Sequence, residues 1–224
     1  MTRQLTRTLL PSAAGIAIAA ALGLSAAVAS ARPLHAGDWL VRAGLSNVNP
    51  GESSSNPRGG LPGGSDVRID SDTRPSFTVG YMYTDNLGVE VLAALPFSHD
   101  IRGAGTLAPL GTIGELKQLP PTISLDWHFL PASTIRPYVG AGVNYTYFFD
   151  EHARGALSGT NLKLDNSFGA AGQVGVDMDI APSWYLNANV RYIQIETTAT
   201  YSNGYQLDVN VNPWVYTLAV GTTF

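Results

Sequence analysis

The chain has 224 residues, a formal net charge of −4, 45% hydrophobic residues and no cysteine. Its acidic balance gives no indication of a nucleic-acid partner, because such proteins carry a basic surface. The absence of cysteine excludes thiol catalysis and thiolate metal sites. The length is enough for one sizeable domain.

The N-terminus has the pattern of a cleavable secretory signal peptide. Two early arginines precede an apolar stretch at residues 16–24, and small residues follow at 29–31. The apolar stretch is much shorter than the roughly 20 residues that a membrane helix needs. We therefore expect residues 1–31 to be removed, which takes away two arginines and no acidic residue and changes the formal charge from −4 to −6.

The mature chain, residues 32–224, alternates polar and apolar residues over many short stretches. In the first stretch Trp39, Val41 and Leu45 share one face, whereas Arg42 shares the other face with small or apolar residues. This period of two residues is typical of β-strands. Eight strands are predicted, at about residues 38–46, 76–84, 87–97, 122–129, 138–147, 173–180 and 184–192, and in a last segment that ends at 224.

The connections between these strands differ at the two ends of the predicted sheet. Short turns near Asp85, Ala132 and Pro182 alternate with longer segments rich in Gly, Pro, Ser and Asn. Short turns on one side and long loops on the other are typical of outer-membrane barrels. The predicted external loops lie at about residues 49–73, 99–118 and 150–166, with a much shorter fourth loop at 201–204.

A soluble barrel, such as a lipocalin-like carrier, would also have strands of alternating polar and apolar residues. The positions of the aromatic residues distinguish a membrane barrel from it. One group lies on the apolar face at the strand ends next to the short turns, and a second group lies near the opposite rim. Aromatic girdles of this kind mark the two membrane interfaces. The first group is Trp39, Tyr83, Trp127, Phe129, Trp184 and Phe224, and the second is Phe97, Tyr145 and Tyr147.

The chain ends on an alternating run that closes with Phe224. Together with the export signal, this run predicts an all-β fold, an eight-stranded antiparallel up-and-down transmembrane β-barrel in the bacterial outer membrane. We expect outer-membrane lipid to surround this barrel. We also expect the barrel-assembly machinery to recognise the chain through Phe224.

Several long motifs follow one another along nearly the whole mature chain. They are YMYTDNLGVEVLAALPFSH (residues 81–99), LPPTISLDWHF (119–129), RPYVGAGVNYTYFFDE (136–151), SFGAAGQVGVD (167–177) and NPWVYTLAVGTTF (212–224). In this order they resemble the OmpW/AlkL family of outer-membrane proteins. The resemblance implies a barrel that admits small hydrophobic molecules and releases them sideways through its wall into the outer membrane.

The inward face of the predicted barrel carries charges of both signs. Eight strands leave room only for packed side chains or one small ligand, so a broad water pore is not expected. Buried charges must pair, which predicts an ion-pair plug across the lower lumen. The pattern is equally compatible with side chains that only fill the barrel interior and select no solute. Within this plug, Arg191 is expected either to pair with Glu90 or to contact an anionic guest. The plug residues are Arg42, Glu90, Asp126, His128, Arg136, Asp177, Asp179 and Arg191.

Toward the external end of the predicted barrel, the lumen-facing positions of the strands carry apolar residues instead of charged ones. With unbroken register they would line an upper cavity for an apolar guest. A bulge near Pro213 would instead flip the register and send them to lipid. The predicted cavity residues are Met82, Leu92, Ile193, Ile195, Leu207, Val209 and Val211.

Pro213 also predicts a weak point in the middle of the wall. A proline cannot donate a ladder hydrogen bond, and an unmet backbone group is costly in hydrocarbon. We therefore expect a lateral opening at Pro213.

Two other functions remain open on sequence grounds. One is a structural, adhesive or phage-receptor barrel with a packed lumen. The other is an outer-membrane lipid-modifying enzyme, which would need a nucleophile and a base in contact. His128 is the only histidine expected on a strand, and Ser124 lies too far along that strand to touch it. We predict no enzymatic activity, no cofactor and no metal site.

Overall fold

The computed structural model describes residues 32–224, so the predicted signal peptide lies outside the described residues. No helix within this range is long and apolar enough to cross a membrane. Two short 3₁₀ helices occupy Ala108–Leu110 and Gly155–Leu157. The strands are β1 (Trp39–Asn49), β2 (Ser53–Arg58), β3 (Ser65–Ile69), β4 (Asp72–Met82), β5 (Leu87–Ala94), β6 (Phe97–Gly105), β7 (Thr112–Leu119), β8 (Thr122–His128), β9 (Ile135–Ala153), β10 (Leu162–Leu164), β11 (Ser167–Ala181), β12 (Trp184–Ile193), β13 (Glu196–Tyr201), β14 (Gln206–Asn210) and β15 (Trp214–Thr223).

Eight of these strands form a closed antiparallel barrel in up-and-down order. Each pairs with the next barrel strand along the chain, and β15 pairs with β1 to close the ring, with Leu218 opposite Leu45. The barrel strands are β1, β4, β5, β8, β9, β11, β12 and β15. This architecture confirms the predicted fold.

Strand β15 shows how the alternating sequence builds the barrel wall. Trp214, Tyr216 and Leu218 project outward, whereas Val215 and Thr217 are buried inside. The strand is 10 residues long, which fits the 9 to 11 residues of a tilted membrane-spanning strand. An apolar outer band is what lipid contact requires.

Aromatic side chains project outward at both rims of the barrel. Tyr145 and Tyr147 lie at the rim away from the short turns, as predicted. Trp214 adds to this girdle and packs against Tyr192, with 5.1 Å between the ring centroids. At the short-turn rim the exposed aromatics are Trp39, Tyr83, Trp127, Phe129, Trp184 and Phe224.

Phe97 does not belong to the outer girdle, so the prediction for this residue is wrong. It is 1% exposed and faces the interior. On β5 every second residue up to Leu92 faces inward, and this alternation is interrupted at Leu95 and Pro96. Leu95 N still donates to Pro75 O over 3.0 Å. Because Pro96 has no N–H, the ladder breaks there, and a shift of one residue turns Phe97 inward.

The segments predicted as external loops are largely strands that extend the barrel beyond the upper girdle. One sheet of this extracellular extension combines β3, β6, β7 and the end of β9. The other combines β10, β13, β14 and β2. Residues 201–204, predicted as the fourth loop, form the tip of the β13–β14 hairpin. Gly, Pro and Ser in these segments obscured the strand pattern in the sequence.

Candidate functional site

A cavity of about 40 Å³ lies between the two sheets of the extracellular extension. Among the described residues its lining contains no Asp, Glu, Lys or Arg side chain, and its polar members other than tyrosine are His99, Gln118, Thr197 and Gln206. The remaining lining residues are Leu61, Val67, Ile69, Ile101, Leu107, Ile113, Leu116, Phe148, Leu157, Leu164, Ala199, Tyr201, Tyr205, Leu207, Val209 and Val211. An apolar enclosure with a few polar groups is the usual form of a small-molecule site.

A constriction of buried apolar side chains lies between this cavity and the barrel interior. We call it the apolar neck. Ile195 is 0% exposed, and the neck residues belong to the same buried cluster as the cavity lining. The neck consists of Val48, Phe97, Ala171, Ile193, Ile195 and Val215.

Most of the residues predicted to line the upper cavity line the observed cavity or lie next to it. Leu207, Val209 and Val211 line it, and Ile193 and Ile195 form part of the neck. The inward phase persists because the register does not change across the break in the last hairpin. β12 and β15 pair as far as Tyr192 and Trp214, and β13 and β14 resume at Glu196 and Asn210, with three residues between on each strand.

Two predicted cavity residues lie elsewhere. Leu92 faces inward at mid-wall, opposite Thr78 and Thr122, and does not line the cavity. Met82 is buried at the short-turn end against Leu40, so its assignment to the upper cavity is wrong. Alternation gives the face of a strand, but the height of a residue depends on strand direction, and β4 runs down toward its turn.

A connected network of buried charges crosses the lower barrel. We call it the charged floor. Arg42 contacts Glu90, and its Nη2 lies 3.0 Å from Asp177 Oδ2. Arg191 Nη2 lies 2.7 Å from Glu90 Oε1. These ion pairs link β1, β5, β11 and β12 through the interior.

The other predicted plug residues also belong to the charged floor. Arg136 Nη2 lies 2.6 Å from Asp179 Oδ1. Asp126 Oδ1 accepts a hydrogen bond of 2.5 Å from Gln173 Nε2. His128 packs on the Tyr138 ring with 5.0 Å between centroids. The eight predicted residues thus extend through the barrel interior from Arg136 and Asp179 near the short-turn rim up to Arg191, whose backbone partner is Val215 of the neck.

The charged floor is completed by neutral residues that are not among the predicted site residues. Gln173 contacts Glu90, Asp126 and Arg191. Asn189 Nδ2 donates to Gln173 Oε1 over 2.8 Å. Both amides lie on the inward phase of their strands, and this phase was the signal that could have identified them.

The residues just before β1 form a strap across the short-turn end of the barrel. Leu34 is buried there beside Met82, and its backbone N donates to Pro131 O over 2.9 Å. The Arg32 guanidinium donates to Thr223 O over 2.5 Å. The strap and the charged floor together close the lower lumen.

The wall between β1 and β15 contains a gap at the upper rim. Pairing stops at Asn49 and Trp214, and it resumes in β2 and β14 with the same register. This register sets Pro50 opposite Pro213. Trp39 and Phe224 exchange both of their backbone hydrogen bonds, so in the alternating ladder Pro50 and Pro213 form a non-hydrogen-bonded pair. The N–H that Pro213 lacks would face the β12 side, where Pro213 O accepts from Ile193 N over 3.2 Å.

The height of this gap differs from the prediction. Pro213 lies directly above the girdle residue Trp214 and not in the middle of the wall. Its side chain is buried, and the nearby Val211 lines the cavity. Val211 O accepts a hydrogen bond of 2.9 Å from Gly51 N, which closes the ladder above the gap.

His99 and Gln118 form a polar pair at the cavity. His99 lies on β6 and His152 on β9, so the expectation that His128 alone occupies a strand is wrong. Burial lowers the pKa of His99, against the opposing effect of its hydrogen bond to Asp70 O. Burial also raises the pKa of Tyr201 to about 12. Both side chains are therefore neutral at pH 7.

The described residues define a transmembrane β-barrel of the outer membrane with a closed lower lumen and an apolar extracellular cavity. The OmpW family matches residues 35–224, and the chain belongs to this family. Outer membrane protein W of Vibrio cholerae serotype O1 is 48% identical, over 94% of this chain and 97% of that protein. Outer membrane protein AlkL of Ectopseudomonas oleovorans is 32% identical, over 84% of this chain and 83% of that protein.

The fold is also shared with a solved structure. The crystal structure of OprG from Pseudomonas aeruginosa superimposes with a TM-score of 0.80 at 37% identity, covering 86% of this chain and 98% of that chain. Within residues 32–224 no group of three His, Asp or Glu side chains could hold a metal ion.

Proposed function

We propose that this barrel takes up small hydrophobic molecules passively from outside and releases them sideways into the outer membrane. The observation that carries the proposal is the position of the apolar cavity above a closed, charged floor. An apolar guest can occupy the cavity, but the floor offers it only charged and amide groups. The guest therefore leaves through the wall.

The free energy of transfer favours this route. Each methylene kept out of water is worth about 0.8 kcal/mol, so a chain of eight carbons gains roughly 6 kcal/mol in an apolar environment. Passage from cavity to lipid keeps this gain. Passage through the charged floor would lose it and would also require separating the buried ion pairs of Glu90.

Entry requires the cavity to expand. A volume of about 40 Å³ holds only a few water molecules. The sheets of the extension meet between β2 and β3 through single side-chain contacts, such as Val67 N to Ser54 Oγ at 3.3 Å and Ile69 N to Glu52 Oε1 at 3.4 Å. Because these edges lack a backbone ladder, the two sheets can separate at low cost.

Exit is proposed at the gap between Pro50 and Pro213. This gap is the place where the pairing of β1 with β15 stops before β2 and β14 resume it, and it lies next to Val211 of the cavity lining. Its height just above Trp214 delivers a guest to the external interface of the membrane. The flanking apolar neck keeps the path dry.

The test is uptake of a radiolabelled medium-chain alkane by cells with intact outer membranes, with and without the protein, beside a small hydrophilic sugar. We expect faster entry of the alkane alone. Pro213→Val combined with Pro50→Val restores the N–H donors that face the strands on either side of the gap, β12 and β4, so it should stiffen the edges of the gap and slow alkane entry severalfold while the barrel stays folded. Pro137→Val is the matched control, because Pro137 on β9 pairs with Val176 near the short-turn rim.

The outcomes separate the candidate functions. Undiminished uptake by the double variant would refute exit at this seam. No acceleration for either solute would refute the channel and favour a barrel that serves as an adhesive or phage-receptor surface. The absence of catalysis is part of the proposal, because His99 binds a carbonyl and an amide and contacts no nucleophile among the described residues.

Assembly through the C-terminus is a further part of the proposal. Phe224 is exposed at the short-turn rim, and its backbone N donates to Trp39 O over 3.0 Å. An exposed terminal aromatic at this rim is accessible to assembly machinery before the β1–β15 seam closes. Phe224→Ala should lower the amount of folded barrel in the outer membrane, measured by its protease resistance in membrane fractions.

A further inference from the structure

We infer that the cavity favours an apolar guest with one uncharged hydrogen-bonding group, such as a medium-chain alcohol or ketone, over a plain hydrocarbon and over a carboxylate. Gln118 would bind that group, and His99 would position the Gln118 carboxamide. The inference deepens the proposed function and rests on it. It names the chemical class of guest that the cavity selects.

The hydrogen bonds of His99 fix its tautomer. Its Nδ1 lies 2.6 Å from Asp70 O. A carbonyl oxygen can only accept, so Nδ1 carries the proton and Nε2 presents a lone pair. Gln118 Nε2, at 3.0 Å, donates to that lone pair. The histidine therefore dictates which end of the carboxamide faces it.

The Gln118 carboxamide has hydrogen-bonding capacity to spare. A carboxamide offers two N–H donors and an oxygen with two lone pairs. Within residues 32–224 its hydrogen bond to His99 is the only one. The side chain is 2% exposed and lines the cavity. A buried polar group without partners is unfavourable, so a guest that supplies a hydroxyl or carbonyl group gains affinity there.

The electrostatics of the cavity exclude an ionised guest. No Lys or Arg side chain within residues 32–224 lines it, and burial, which lowers the pKa of His99, favours the neutral imidazole. A carboxylate would be desolvated there without a counter-ion, which is strongly unfavourable. A neutral hydroxyl can donate to Gln118 Oε1 or accept from its free N–H. The lining thus selects for polarity without charge.

Thr197, on the opposite sheet, provides the matched control. It also lines the cavity, but its Oγ1 donates to Asp165 O over 2.6 Å. Its donor is therefore already satisfied. Thr197→Val removes a polar atom from the cavity without touching the His99–Gln118 pair.

The experiment compares octane, 1-octanol and octanoate as radiolabelled probes in intact cells, each corrected for cells without the protein. We expect the wild type to carry octanol faster than octane and octanoate slowest. Gln118→Leu and the longer-chain Gln118→Met should each lower the octanol-to-octane ratio about three- to tenfold, the loss of one hydrogen bond. His99→Phe should lower the ratio with Gln118 in place, and Thr197→Val, which removes a hydroxyl whose donor is already engaged, should change it by less than about twofold.

A binding measurement separates this inference from the proposed function. In lipid nanodiscs, octanol should shift the side-chain NH₂ signals of Gln118 in ¹⁵N-labelled protein, and octane should not. Equal shifts for both probes, or an unchanged uptake ratio in both Gln118 variants, would overturn the inference while leaving hydrophobic uptake intact. If no probe enters faster through the protein, the proposed function fails, and the nanodisc titration still decides the binding preference.

Discussion

Arg191 on β12 and Glu90 on β5 form an ion pair across the interior of the barrel, with 2.7 Å between Nη2 and Oε1. The two strands stand on opposite sides of the ring of eight. The other oxygen of Glu90 contacts Arg42, so one carboxylate braces two guanidinium groups from different walls. The Arg191 guanidinium also reaches Gln173 Oε1. Arg191 is therefore engaged by the floor through Nε and Nη2, whereas its buried Nη1 has no hydrogen-bond partner among the described residues.

Removing Arg191 should destabilise the barrel without changing its selectivity. Arg191→Leu leaves Glu90 partly unpaired in a buried site, and breaking a buried ion pair typically costs about 3–5 kcal/mol. Denaturant unfolding in lipid vesicles measures the loss. Arg58→Leu is the control, because Arg58 pairs with Asp208 at the exposed surface and should have little effect.

A different result would restore a ligand role for Arg191. If Arg191→Trp kept its stability but changed the ratio of octanoate to octane uptake, the guanidinium would be recognising an anion. We expect the ratio to stay constant, because the charged floor lies below the apolar neck.

The lipid-facing wall should tolerate charge poorly at its centre. Leu218 lies midway along β15 and projects outward. A lysine at the midplane of a barrel costs about 2–4 kcal/mol, so Leu218→Lys should lower the free energy of unfolding in vesicles by that amount. Ser55→Lys, at an exposed site on β2 in the extension, should change it little. Equal effects at both sites would contradict a membrane-embedded wall at Leu218.

Alternation in the sequence was enough to predict the faces of the barrel strands. Arg42 and Glu90 point inward and Trp39 points outward because each sits on the expected phase of an unbroken strand. A period of two residues is a local property, so it survives in a single sequence. The charged floor could be predicted for the same reason, since its members share that phase.

Height and long-range pairing could not be predicted in the same way. The prediction for Met82 is wrong about its height, because alternation carries no information about depth along the barrel axis. Phe97 was assigned to the wrong face because the break at Pro96 changes the phase, and the sequence alone does not show how many residues a break absorbs. Gln118 escaped notice because its partner, His99, is a neighbour only after β6 and β7 pair.

Filling the cavity should block uptake and spare the fold. Ala199 is buried on β13 and lines the cavity, so Ala199→Trp would occupy its free volume. Overpacking costs about 1–3 kcal/mol, which a barrel closed by eight paired strands can absorb. We expect loss of octane uptake with normal heat stability of the barrel. Leu218→Trp, a substitution of similar size facing lipid, is the control and should retain uptake.

The stability of the extension should depend on pH through His99. This residue lies level with the outward-facing Asp100 and Lys117, which places it above the hydrocarbon. Burial lowers its pKa, while Asp70 and Asp72 raise it and Arg74 lowers it further, with a net decrease from the usual value near 6.5. Above that value both the folded and the unfolded states are neutral. As the pH falls below it, only the unfolded state gains the proton, so stability decreases.

The stability that His99 contributes should therefore decrease between pH 7.5 and 5.5, by at most about 1 kcal/mol. Hydrogen exchange of the β6 and β7 amides at both pH values measures it, and His99→Phe should have a flatter dependence because it has no proton to gain. Protonation would also turn Nε2 into a donor facing the Gln118 NH₂ group, which breaks their hydrogen bond. A His99 ring that titrates at or above pH 6.5 by NMR, or equal pH dependence in the two proteins, would contradict the neutral Nδ1–H tautomer that orients Gln118.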